Sequence, residues 1–157
     1  MKPILNEIII TNKNQSNMIS EEFNLSDYTN SDTARTKGFS ENFTPPQEII
    51  DNLQLLHKNI VIPLLHYFGS EGLMITSGYR CERLNTAVGG VSNSDHLKGM
   101  AVDLNYFVNG VKSDQLIWDA VKSLELQYKQ LGNEHNLDWV HIAYDENNLE
   151  MEVFNVN

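Results

Sequence analysis

Between Pro45 and Leu65 the chain keeps one spacing. Apolar side chains fall at Ile49, Ile50, Leu53, Leu56, Ile60, Leu64 and Leu65. That period predicts a long core helix with a single apolar stripe. Pro45-Pro46 suits its first turn, where a missing N–H costs nothing. Pro63 is expected to kink it, and Gly69 and Gly72 to close it. A stripe of this kind must be buried against another layer. The rest of the chain supplies one. Leu73–Ser77, Met100–Asn105, Leu137–Tyr144 and Met151–Val156 read as short strands. Glu82–Val88 reads as a short helix ended by Gly89-Gly90. A further helix runs from a cap at Ser113 through Leu116, Ile117, Ala120, Val121 and Leu124. The expected class is α+β, a small antiparallel sheet packed against helices.

At 157 residues, 41% hydrophobic and 20% charged, the chain has the size and balance of one globular domain. We expect a leader over residues 1–22, with a short strand at Ile8–Ile10 and a polar loop over Thr11–Ser20, and one domain over residues 23–157. Ser26 is expected to cap a helix, and Ser31–Asn42 to be loop. Cys81 is the one cysteine, which excludes an internal disulfide framework and any multi-cysteine zinc site. The net charge is -10, which disfavours binding to nucleic-acid phosphates. No apolar run approaches the ~20 residues of a membrane span. Met1–Met18 lacks a basic region followed by an apolar stretch, so no signal peptide is expected.

The chemistry-bearing residues concentrate in two segments. One contains Ser77-Gly-Tyr-Arg80, Leu84-Asn85, Val88-Gly-Gly90, Ser94, His96, Gly99, Ala101 and Asp103; the other is Asp138-Trp-Val-His141-Ile-Ala-Tyr144. Two histidines and a carboxylate match a catalytic zinc, which takes three protein ligands and keeps an open position for water. Asp103 and His141 lie inside apolar strands, where an unpartnered charge or imidazole is costly. Each has another reading: a histidine hydrogen-bonded in the core, an aspartate capping a loop or paired with arginine. Spacing alone leaves these readings open.

Together these segments resemble the D-Ala-D-Ala carboxypeptidase family of zinc peptidases, which shares its fold with hedgehog domains. The likeness is nearest to the small phage and bacterial branch that cuts peptidoglycan, and it spans about residues 23–144. The Asn24–Ala34 segment also resembles the lead-in of that branch. The resemblance implies one Zn2+ on His96, Asp103 and His141. It implies hydrolysis of a peptide bond in the peptidoglycan stem peptide, either the terminal D-Ala-D-Ala bond or an internal one. It places the general base three residues before the last histidine, at Asp138. In an ideal strand Asp138 and His141 point to opposite faces, so this role requires Asp138 to precede the regular strand or sit at a bulge. Glu134, expected on a loop beside His135, is the rival base; Asp138 is preferred.

Arg80 is implied to bind a substrate carboxylate or the oxyanion, with a surface salt bridge as its other reading. Ser94 is implied to touch substrate backbone, or else caps a turn. Trp139 lines the cleft or packs in the core. His57 and His66 read as structural or solvent-facing. We expect a monomer whose partner is the stem peptide. It would be cytoplasmic, or phage-encoded and released to the wall. A different class also fits these residues: a zinc-binding interaction module without activity, or a phage structural component of the same fold.

Overall fold

The computed structural model describes residues 19–157. The expectations for residues 1–18, among them the Ile8–Ile10 strand, lie outside the described residues.

The long helical period forms, but in three pieces. Helix α3 (Gln47–Leu56) starts directly after Pro46 and passes into a π-helical turn over His57–Val61. Helix α4 (Ile62–Phe68) follows and ends at Gly69 in the left-handed conformation (φ 76°). Pro63 has no N–H to donate to the turn before it. The helix responds by widening: Ile62 N–H reaches back to the His57 carbonyl. The expected kink is therefore a π turn just ahead of the proline. Leu53, Leu56, Ile60, Val61, Leu64 and Leu65 are at most 1% exposed. They pack with Ile117, Ala120 and Val121 of α6 (Gln115–Ser123) against one face of the sheet.

The sheet comprises β1 (Leu73–Ser77), β2 (Ala101–Val108), β3 (Val111–Lys112), β4 (Gln130–Glu134), β5 (Trp139–Ala143) and β6 (Glu152–Val156). The main order is β1-β2-β5-β4-β6, with β3 paired to β2. All pairings are antiparallel except β4 with β6, which is parallel and departs from the expected all-antiparallel sheet. Along β2 and β5 the residues alternate. Val102, Leu104, Val140 and Ile142 enter the helical core, while Asp103 and His141 face the other side. One face of the sheet thus makes the core and the other is left for chemistry.

Four segments differ from the sequence expectation. Gln130–Glu134, where no element was expected and Glu134 was placed on a loop, is strand β4. Residues 31–42, read as loop, form helix α2 (Asp32–Lys37), capped by Ser31, and a 3-10 turn at Ser40–Phe43. Helix α1 (Leu25–Thr29) has Asn24 rather than Ser26 at its N-cap position, and α6 starts after Asp114 rather than Ser113. Short helix α5 (Glu82–Ala87) lies where expected. Among the described residues no helix is long and apolar enough to cross a membrane.

Candidate metal centre

The site is laid out along a single row of residues across the sheet. In register, Ser77 of β1 faces Asp103 of β2, and Asp103 faces His141 of β5. His141 faces Gly132 of β4, and Gly132 faces Phe154 of β6. Paired residues in neighbouring strands share a face, so this row points away from the core. Gly132 leaves a gap in it, and the Phe154 ring fills that gap: a Cβ on Gly132 would collide with it. The same ring lies 5.7 Å from the His141 ring, centroid to centroid.

His96 comes from outside the sheet. It sits on a 3-10 turn, Asp95–Lys98, which Ser94 caps by accepting from the His96 N–H and which Gly99 ends at φ 68°. Two bonds dock this turn on the loop after β1. The Arg80 N–H donates to the His96 carbonyl (3.0 Å), and His96 Nδ1 donates to the Gly78 carbonyl (2.6 Å). Gly78 is required here, because a Cβ would strike the backbone of Tyr28.

The result is a tight cluster. His96 Nε2 lies 3.2 Å and His141 Nδ1 3.0 Å from the same carboxylate oxygen, Asp103 Oδ1. One donor atom from each residue lies within 4.8 Å of the others. All three residues are buried, at 3%, 4% and 9% exposure for His96, Asp103 and His141. The other oxygen, Oδ2, accepts from Arg80 Nη2 at 3.0 Å. Burial pushes the Asp103 carboxyl up, but the charge and N–H groups of the two histidines in their protonated form outweigh it and hold it well below the usual carboxylate range. The cluster opens on a cleft of about 780 Å3.

A protein-family comparison gives the same direction. The profile of Peptidase M15 matches residues 21–143. The chain belongs to the Peptidase M15 family. No curated protein matches it closely enough to add to this. M15 peptidases are zinc enzymes, and the donor set here fits such an ion. With Nδ1–H of His96 committed to Gly78, a neutral His96 turns the lone pair of Nε2 toward the Asp103 carboxylate. Two acceptors then face each other in a buried place, which a cation between them relieves.

The remaining expected site residues of this M15 peptidase divide into two groups. Ser94, Arg80, Glu134 and Trp139 line the cleft with the three cluster residues. Asp138 does not. It does stand just before β5, as the base role required, yet its side chain is 68% exposed and its carboxylate pairs with Lys112 at 3.2 Å. Glu134 closes β4 rather than lying on a loop, and it faces Trp139 across the β4–β5 pair. Its charge and that of Asp103 oppose the burial that pulls the Arg80 guanidinium below its ordinary pKa. Arg80 makes no surface salt bridge: besides Asp103, its Nε donates to Ser77 Oγ at 2.9 Å. Ser94 has the capping role already described.

His57 is structural. Buried in the π turn, its Nδ1 bonds the Tyr28 hydroxyl at 2.6 Å and its Nε2 lies 3.0 Å from the Glu21 carbonyl. His66 is exposed and contacts Glu21. Phe154 was missed from sequence, as were Asp95 and Lys129, which pair at 2.9 Å in the cleft wall. The alternating Glu152–Val156 run was the available signal for Phe154, but its partner strand went unread.

Proposed function

We propose that the protein is a zinc metallopeptidase that hydrolyses a peptide bond in the stem peptide of bacterial peptidoglycan. Membership of the M15 family supports peptidase chemistry, and the resemblance of the Ser77–Asp103 and Asp138–Tyr144 segments supports the substrate. The observation that carries the reading is the convergence of His96, Asp103 and His141 on one carboxylate oxygen at the floor of an open cleft.

His96, Asp103 and His141 would hold the ion, the histidines through Nε2 and Nδ1. Zinc bound there supplies Lewis-acid polarisation of the scissile carbonyl and lowers the pKa of its water to ~7. Every other task falls to the chain. Gly78 fixes the His96 tautomer, and Arg80 fixes Asp103 through the oxygen that the histidines do not face. We assign the general base to Glu134 rather than Asp138. A base must face the cleft to take a proton from attacking water and return it to the leaving amine. Glu134 lines the cleft, whereas Asp138 is held outside it by Lys112. Arg80 Nη1 makes no hydrogen bond among the described residues, which leaves it for a substrate oxygen. Trp139 and Phe154 form apolar walls for the substrate. The test is digestion of purified peptidoglycan by the zinc-loaded protein, read by mass spectrometry. Release of stem-peptide fragments that a chelator abolishes is expected, and intact peptidoglycan after saturating zinc would refute the reading.

A further inference from the structure

The cleft does not end at Arg80. A second depression of about 330 Å3 adjoins it. Arg80, Val88, Asp103 and Trp139 wall both, so the two meet beside the metal cluster. The second depression lies between the α1–α2 turn and the first turn of α2, with Asn30, Ser31 and Thr33, and the end of β1, with Thr76 and Ser77. These are uncharged polar side chains. Asn30 Oδ1 accepts from Arg35, Ser31 Oγ from the Ala34 N–H and Ser77 Oγ from Arg80, and Thr76 donates to the Asp103 carbonyl. The Asn30 amide N–H groups, the Ser31 and Ser77 hydroxyl protons, the Thr76 lone pairs and the Thr33 hydroxyl are left for the peptide groups of an extended chain. Its one further carboxylate, Asp32, is already paired with Arg35.

An enzyme that removes a C-terminal residue needs a cation to receive the free carboxylate, and a bidentate fork does this best. Among the described residues, Arg80 and Lys129 are the only arginine or lysine lining either depression. Two nitrogens of the Arg80 fork are committed to Asp103 and Ser77. Lys129 Nζ lies 2.9 Å from each oxygen of the buried Asp95. Arg80 keeps only Nη1 free and stands where the two depressions meet, so among the described residues neither depression offers a bidentate arginine fork at a closed end for a terminal carboxylate.

We propose that the depression at Asn30–Thr33 and Thr76–Ser77 is a peptide subsite holding substrate residues beyond the scissile bond, so that the protein cuts inside the stem peptide rather than at its terminus. This rests on the peptidase reading above. The test uses the zinc-loaded full chain on a muropeptide with a five-residue stem, on its C-terminal amide, and on a dipeptide holding only the cleaved bond. Mass spectrometry should show cleavage at a bond other than the last. Amidation should change kcat/KM less than about two-fold, and the dipeptide should be at least about ten-fold poorer, since remote contacts raise turnover. Thr33→Arg, with an unchanged melting temperature, should slow the muropeptide at least about five-fold more than the dipeptide, by blocking the subsite. Loss of only the terminal residue, with a more than ten-fold drop on amidation, would overturn the subsite and leave the peptidase intact. So would equal effects of Thr33→Arg on both substrates. No hydrolysis of any of the three would overturn the peptidase reading and the subsite with it.

Discussion

Glu134 and Asp138 lie in the same hairpin but in different surroundings, one in the cleft and one on Lys112. Glu134→Ala should therefore keep its zinc and lose ~100-fold or more in kcat, the usual scale of general-base help. Asp138→Ala should stay within about three-fold of the parent, because its carboxylate faces solvent. The reverse ranking in steady-state kinetics would move the base to Asp138. Asp103 is tested without metal. Asp103→Ala leaves the Arg80 guanidinium without its buried partner, at a cost of about 3–5 kcal/mol in denaturant unfolding. The Asp103 carboxyl is held low in the fold, so its contribution is full above the unfolded value of about 3.9 and fades as pH falls through the lower folded value. The metal-free protein should lose stability below about pH 4, and Asp103→Asn should lose less over the same range. Equal acid sensitivity would show that Asp103 carries no such term. The three cluster residues were singled out in sequence, Asp103 and His141 because polar groups inside apolar strands need a partner, and His96 through the family resemblance. Arg80's duty to Asp103 was not, since it depends on the 23-residue sequence separation closing in space.

Strand β4 shows what hid the rest. Gln-Leu-Gly-Asn-Glu carries one apolar residue and a central glycine, so neither strand propensity nor alternation marks it. It forms because β5 and β6 pair with it on either side. Missing it left Glu134 on a loop and Phe154 without a place. It also left the parallel pairing unread. Helix α3 was legible from its stripe alone, but the π turn arises from Pro63 acting within a helix that continues past it. The contact between Gly132 and Phe154 gives a test at this level. Gly132→Ala should cost about 1–3 kcal/mol by forcing the ring aside, and lower kcat/KM with it. In the Phe154→Ala background the same change should cost under about 0.5 kcal/mol, because the clash is gone. Additive costs in the double-mutant cycle would mean that Gly132 is needed for another reason.

The molecule as a whole puts its helical core on one sheet face and its cleft on the other, and it carries a charge of -10 from 21 acidic and 11 basic residues. For the proposed peptidoglycan substrate, that field opposes approach to an anionic wall. The screening length shrinks from about 30 Å at 0.01 M salt to about 10 Å at 0.1 M. Hydrolysis of whole sacculi should accordingly speed up several-fold over that range, while a short uncharged peptide is cut at a nearly constant rate. A fall with added salt would point to an attractive contact with the wall. The central claim is that His96, Asp103 and His141 hold the metal of a working peptidase. It is tested most directly by titrating zinc into chelator-stripped protein and following stem-peptide products by mass spectrometry. The account predicts that activity rises to a plateau at one zinc per chain and that His141→Ala shows neither the plateau nor the products. The same products from metal-free protein, or full zinc loading and turnover in His141→Ala, would contradict it.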